Sequence, residues 1–441
     1  MMNIIIKTFL SLQLFYLFSS FAQLDLNLPR GLETQTYGKN DICVVPRNFL
    51  LKSLTFDTEP ASKKQRELCS IDFFNDPDIG ICPKDFSTNP AVEVYKLTET
   101  NLTKAKYESI ECKKDRSKRV GKKIGKFKQS ITCSYTPSIL GYYALSQWLG
   151  DAGRVPPSVI RTMPFVDHQK IAKTGQGGRL AGMWKLFEPV YVNPLKYPKL
   201  STSESLQLYG AFSQNPAGEE FYREFYGHKH VYADGLKAFK KTNVYLQITN
   251  LNSLKLPKVF NKELAQKIQA MKDASSMIAM DTIMNQQDRF GNVHKKLYYH
   301  YLENNNVKTK SAKGLTPEEI AALKDKGAVE VYELLMKDND CGVTKSNLFA
   351  ADKTLRNVRH FSPSVYKSIQ NLALQISNVE FINYLKSDLL FTTNDLTGPM
   401  GILNNLSAVA TTLKENCKKG LLKLDLDIPT YLGLVEPVSC L

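Results

Sequence analysis

The chain has 441 residues, with 58 Lys and Arg against 43 Asp and Glu, for a net charge of +15. With 43% hydrophobic and 10% aromatic residues, and only 20 Pro and 24 Gly, it can bury a sizeable core, which excludes disordered, collagenous and mucin-like classes. The length suits two or three domain-sized units, or a single two-lobed domain with appendages.

Residues 1–22 read as a signal peptide: Lys7 precedes an apolar run from Phe9 to Phe18, and Ser20-Phe21-Ala22 supplies small residues for cleavage after Ala22. The alternative is an uncleaved anchor, but the run is shorter than the ~20 residues a spanning helix needs. No transmembrane segment is therefore expected in the mature chain. Export would place it outside the cell, in the lumen of the secretory pathway or in a periplasm, where its eight cysteines most simply form disulfides. Cys112 with Cys133 and Cys69 with Cys82 are the expected pairs, since each flanks a short segment. No C-x-x-C or H-E-x-x-H occurs, so no zinc or thioredoxin-like site is indicated.

Residues 23–90 are turn-rich and Cys-containing, with no sustained period, and are expected to form an irregular extension. From Ala91 to Thr132 short alternating runs predict strands. Residues 137–148 predict a helix with Ile139, Tyr142, Tyr143, Leu145 and Trp148 on one face, stopped by Gly150. Residues 154–161 and 180–186 read as two strands. Beyond Pro189 the pattern is helical, over 203–212, 218–226, 262–271 and 275–284. Thr316-Pro317-Glu318-Glu319 is a capping box for a short helix that Gly327 stops, followed by a strand over 329–335. Helical spacing resumes from Pro363 to about Leu424. The sum is an α+β, two-lobed molecule: a β-rich N-lobe over 91–188 and a helical C-lobe with a helical tail over 189–441, joined near Phe187–Pro189 where a ligand would sit.

The sharpest chemical signal is Asp281-Thr-Ile-Met-Asn-Gln-Gln-Asp288-Arg289-Phe290-Gly291-Asn292, followed about fifty residues later by Asp338-Asn339-Asp340. Acids on two loops, each bordering a regular element, suit phosphoryl transfer: one carboxylate orients a hydroxyl and another holds a magnesium ion against nucleotide phosphates. Asp-Arg and Asp-Asn turns are also common surface features. Residues 113–128 carry nine Lys or Arg and one acid. They suit nucleotide phosphates, an acidic substrate or a polyanionic glycan, or else a solvated strand pair; nucleic acid is not expected for an exported chain. His228-Lys229-His230 lacks a third metal ligand nearby in sequence.

Arg154-Val155-Pro156-Pro157 after a helix, Met183-Trp184-Lys185-Leu186-Phe187 before Pro189, Asp281-x6-Asp288-Arg289 and Asp338-Asn339 occur in the order found in secretory-pathway kinases. In this the chain resembles the atypical kinases related to the Golgi casein kinase and Four-jointed, and their bacterial relatives, over residues 121–343. The resemblance implies a protein-kinase-like fold that uses ATP with Mg or Mn. It implies Asp288 as catalytic base, Asp338 as metal ligand, Phe187 and Glu188 as the hinge beside adenine, and Lys128, with Lys126 on the same side of its strand, for the phosphates. Arg119–Gly125 would be the phosphate-covering turn.

Three departures follow. Residues 134–149 contain no acid to pair with the strand lysine, Ser138 or Ile139 taking its place. Asn292 lies four rather than five residues after Asp288, so either the loop is shorter or Asp340 supplies the second metal contact. Phe290 replaces the usual histidine.

The reading is a secreted kinase-like enzyme that phosphorylates a hydroxyl of an exported protein or glycan. Two alternatives stay open, a secreted pseudokinase acting as a nucleotide-binding or allosteric partner and a basic extracellular binding module, and a homo- or hetero-dimer is compatible with the reading.

Overall fold

The computed structural model describes residues 33–440 apart from 37–40, 52–54, 58–59, 85–87, 99, 177–180, 198–200, 203–206, 226–233, 291–292, 344–347 and 352. Residues 1–22, expected as a signal peptide, and His228-Lys229-His230 and Asn292 lie outside the described residues. An antiparallel sheet fills the first half of the chain and helices dominate the second, an α+β arrangement.

In the first half, β1 (Glu33–Thr36), β2 (Ile42–Val45), α1 (Pro60–Cys69) and β3 (Ile79–Pro83) are followed by β4 (Ala91–Lys96) and β5 (Lys122–Lys128). Then come α2 (Thr136–Trp148), β6 (Ser158–Pro164), α3 (Phe165–Gly175) and β7 (Gln207–Gln214). The strands run in the order β1-β2-β6-β7-β5-β4-β3, each pair antiparallel. β5 is thus interior, with Lys126 opposite Ser213 and Glu93, and Lys128 opposite Ala211 and Ala91. Gly210 permits this approach, because a Cβ there would collide with the Lys128 carbonyl oxygen.

The expected irregular extension is instead built into this sheet. β1 and β2 extend one edge, and β3 pairs residue by residue with β4 across the 90–91 junction. Short strands with cysteines at non-periodic positions carry little pattern of their own, and the neighbouring strands supply the partners. Two further expectations fail for a related reason. The described part of 203–212 is not helical: β7 is buried on both faces from Gln207 to Phe212, so its residues lack the alternation that marks a half-exposed strand. The described part of 218–226 is not an α-helix either. Glu220–Phe221 pairs as a strand, and Arg223–Phe225 is a single 3₁₀ turn. Residues 180–186 were expected as a strand but are helical from Ala181, with Trp184, Phe187 and Val190 at helical spacing and all buried.

The second half is organised around α4 (Lys262–Ile283), in which the two expected helical runs are continuous. Asn261 caps it by accepting from Leu264 N, its first turns are partly exposed, and every residue from Asp273 to Ile283 is buried. β8 (Val293–Glu303) pairs with Glu220–Phe221, with β9 (Asn306–Ser311) and with β10 (Val329–Met336), all antiparallel. The capping box forms at Thr316 and Glu319 as expected. Helices Pro363–Ala373, Val379–Ser387 and Ile402–Lys418 complete the tail. One core joins α4 to α2 and these tail helices, and a second lies between the first sheet and α3. α2 is buried on all sides from Thr136 to Ser146, so it has no polar face.

The disulfides are Cys43–Cys69, Cys82–Cys112, Cys133–Cys341 and Cys417–Cys440. Neither expected pair, Cys112–Cys133 or Cys69–Cys82, forms, because pairing follows which strands and loops adjoin rather than which cysteines are near in sequence. Among the described residues no helix is long and apolar enough to cross a membrane.

Candidate functional site

Alternation along β5 puts Lys126 and Lys128 on one face, and both reach the loop that leaves β10. Lys128 Nζ lies 2.9 Å from Asp340 Oδ2 and 3.2 Å from Asp338 Oδ1, and Lys126 Nζ lies 3.4 Å from the same Asp338 oxygen. Asp338 enters the loop in the left-handed region, φ 58°, which Asp tolerates better than most side chains. The N-terminus of α2 then fixes the loop: Tyr135 N donates to the Asp340 carbonyl at 2.8 Å and Ser138 Oγ to the Asn339 carbonyl at 2.6 Å. The Cys133–Cys341 bond ties the segment after β5 to the same loop. Gly342 follows, where a Cβ would collide with Ser138 Oγ. Ser138 on α2 therefore holds the loop, and Lys128 pairs with Asp340 and Asp338.

Burial would raise both carboxyls, but Lys126, Lys128 and Lys84 hold Asp338 well below the ordinary range, and Lys128 lowers Asp340. Both are ionised at neutral pH. Lys84, at the end of β3, is pushed down to about 7 by burial and by Lys126 and Lys128. Asp288 is half-buried, and its carboxyl is raised by burial and by the negative charges of Asp340 and Asp338. A carboxylate tuned upward is better able to accept a proton.

Lys126, Lys128, Asp338 and Asp340 line a cleft of about 50 Å³, whose other walls include Ile139, Val155, Pro156 and the end of β7 through Asn215 and Pro216. Lys128 pairs with both acids at its wall, within reach of a ligand that enters there. The Arg154-Val155-Pro156 motif divides here, because Val155 and Pro156 line the cleft while Arg154 turns away to Glu333, 2.5 Å from its Nε.

Asp281 and Asp288, which share one motif, have different surroundings. Asp281 is fully buried and takes Arg289 Nε at 2.7 Å, Arg289 Nη2 at 2.8 Å and Tyr142 Oη at 2.7 Å. Arg289 continues to Asn339 Oδ1 at 2.8 Å. This cluster joins α4, α2 and the 338–340 loop and leaves Asp281 no free face for chemistry.

Phe187 and Glu188 are not brought to the cleft. Phe187 is buried against His168, with ring centroids 4.6 Å apart, and Glu188 is exposed and accepts from Gln176 Nε2 at 3.0 Å. The backbone edge beside the cleft belongs to Gln214–Pro216, after β7. The expected covering turn also lies elsewhere: Arg119 is buried and pairs with Glu93 at 3.3 Å, and Gly121 stands at the opposite end of β5 from Lys128.

Two residues at the cluster carry no signal in the sequence. They are Lys84 and Asn89, which lie between β3 and β4 in the chain. Asn89 Nδ2 donates to Asp340 Oδ2 at 3.2 Å, and Thr132 Oγ1 donates to Asn89 Oδ1. The Cys82-Pro83-Lys84 and Asn89-Pro90 steps mark a turn, and nothing in them indicates which loop lies opposite.

Among the described residues no group of three or more His, Cys, Asp or Glu side chains could hold a metal ion. No family model matches the chain, and no curated protein matches it. Among solved structures, the chain is similar to the crystal structure of the Golgi casein kinase with Mn/ADP bound, at a TM-score of 0.39 and 11% identity, over 88% of this chain and 84% of that one.

Proposed function

We propose that the protein is a nucleotide-dependent phosphotransferase that phosphorylates a hydroxyl of an exported protein or glycan. The observation that carries this is the meeting of Lys126 and Lys128 with Asp338 and Asp340 at one cleft, with Asp288 near enough for its pKa to respond to both acids. The lysines would contact phosphate oxygens of ATP, and Lys84 would add a third cation to the same place. Ile139, Val155 and Pro156 offer an apolar wall for the base, beside Gln214–Pro216.

Asp338 and Asp340 suit a Mg or Mn ion. They are hard oxygen donors two residues apart, both kept ionised, and one or two carboxylates together with substrate phosphates are the usual set for such a metal. When bound, that ion would supply charge neutralisation at the phosphates. Asn292 lies beyond the described residues and stays a proposed second ligand. Asp288 would orient the acceptor hydroxyl and take its proton, its raised pKa favouring the proton-accepting role. The four disulfides suit an oxidising compartment, so we place the protein outside the cell, in the secretory lumen or in a periplasm.

A pseudokinase is the second reading, favoured by the pairing of Lys128 with both acids and by the small volume of the cleft, about 50 Å³. Calorimetric titration with ATP, with and without magnesium, and transfer of labelled γ-phosphate to protein and glycan acceptors test both. Asp288→Ala should lose transfer by ~10²–10⁴-fold with little change in nucleotide affinity. Nucleotide binding without transfer by either form selects the pseudokinase, and no nucleotide binding at all removes both readings.

A further inference from the structure

Two triplets of the form Asn-x-Thr/Ser, Asn101-Leu102-Thr103 and Asn405-Leu406-Ser407, stand in opposite surroundings. In a secretory lumen such a triplet is an acceptor for an N-linked glycan, which is bulky and needs its Asn at the surface. Asn101 lies between β4 and the helix Lys104–Ile110. Its backbone is left-handed, φ 52°, a conformation that Asn tolerates better than most residues. The turn is pinned on both sides: Thr100 N and Thr100 Oγ1 each donate to the Leu97 carbonyl at 2.8 Å, and Thr103 caps the helix by accepting from Lys106 N at 3.4 Å. Leu102 packs against the small core that contains Leu97 and Tyr107, while Asn101 and Thr103 are both exposed. The amide and the hydroxyl of the triplet thus face outward, and among the described residues the Asn101 side chain has no hydrogen-bond partner.

Asn405 is the reverse. It sits inside the helix Ile402–Lys418, half-buried, and uses both hydrogens of its amide: Nδ2 donates to the Ile283 carbonyl at 3.2 Å and to the Met400 carbonyl at 3.3 Å. A sugar on that nitrogen would replace one of these hydrogens and stand in the contact between this helix and the end of α4.

We propose that Asn101 is a site of N-linked glycosylation and that Asn405 is not. The donor is an oligosaccharide carried on a lipid pyrophosphate. Asn101 Nδ2 attacks its anomeric carbon; a C–N bond forms, the bond from that carbon to the pyrophosphate oxygen breaks, the lipid pyrophosphate leaves, and one amide proton is released. The proposal rests on the chain entering a secretory lumen. It is compatible with the lysine cleft, because the glycan stands away from it. A Cβ on Gly121 would lie 3.1 Å from the Lys96 carbonyl oxygen and 3.4 Å from Thr100 Cγ2, which puts the Asn101 turn beside the start of β5, at the end remote from Lys128.

Expression of the full chain in cultured animal cells tests this, with a second arm in which residues 23–441 follow an established cleavable signal peptide. Enzymatic release of N-linked glycans in heavy-oxygen water leaves a labelled Asp at each modified Asn, which peptide mass spectrometry locates. Label is expected at Asn101 and not at Asn405. Asn101→Asp, which suits the left-handed backbone, and Thr103→Asp, which keeps a helix cap but removes the hydroxyl, should each lose the glycan, whereas Thr103→Ser should retain it. Label at Asn101 in the second arm alone would uphold the site and overturn the export reading of residues 1–22. A chain recovered from the lumen or medium of either arm without label at Asn101, label at Asn405, or a glycan that persists in Thr103→Asp would overturn the proposal.

Discussion

Two charged clusters stand on either side of Asn339, and they differ in what their charges lack. In the Asp281–Arg289 cluster the side chains are 0% and 1% exposed, the contact is bidentate, and the spare valences go to Tyr142 and Asn339. In the lysine cleft the pairs are single and longer, Asp338 is 19% and Lys126 13% exposed, and four lysines, Lys84, Lys126, Lys128 and Lys337, act on Asp338. A saturated cluster is scaffolding, because a ligand could enter only by breaking it. An over-supplied, half-open cluster has charge left for a ligand.

That contrast is broken most severely at Asp281. Asp281→Ala leaves the Arg289 guanidinium buried without its partner, and thermal unfolding should show a loss of about 3–5 kcal/mol. The Cys133–Cys341 link between α2 and the 338–342 loop comes next: the double Cys→Ser variant should lose about 2–5 kcal/mol in denaturant titration, and its nucleotide affinity should fall because the loop is no longer held. A stable double variant with unchanged affinity would show that Ser138 and Tyr135 suffice to position the loop. Asp338→Asn sharpens the comparison from the other side. Asn accepts the left-handed backbone and Lys128 keeps Asp340, so stability should change by only about 1–2 kcal/mol. Metal-dependent nucleotide affinity measured by calorimetry should nevertheless fall at least about tenfold. Glu188→Ala, away from both clusters, should alter stability by less than about 0.5 kcal/mol and leave nucleotide affinity as in the wild type; a clear loss of affinity would return Glu188 to the site.

The motifs were more legible than their surroundings. Asp288, Asp338 and Asp340 could be singled out because loop acids beside regular elements are local patterns, whereas Lys126 and Lys128 were named through the resemblance of their strand. Asp281 belongs to the same motif as Asp288, and no local feature separates the buried partner of Arg289 from the half-buried candidate base. The hinge was misplaced by a comparable ambiguity: Met183–Phe187 is an apolar run whose length suits a strand or a helix, and the Trp184, Phe187 and Val190 spacing that packs against His168 satisfies the helix.

By itself the sequence determined the α+β class, α2, α4, the Thr316 capping box and the basic β5 strand, since periodicity, caps and alternation act within a few residues. It also marked the chain as one with cysteines for an oxidising compartment. Only the tertiary structure decided that Cys133 meets Cys341 across 208 residues, that β3 places Lys84 and Asn89 beside Asp340, and that β7 rather than 180–186 borders the cleft. These depend on which strand lies next to which. A strand's own residues specify the face it buries, but its neighbour is chosen by the packing of the whole sheet.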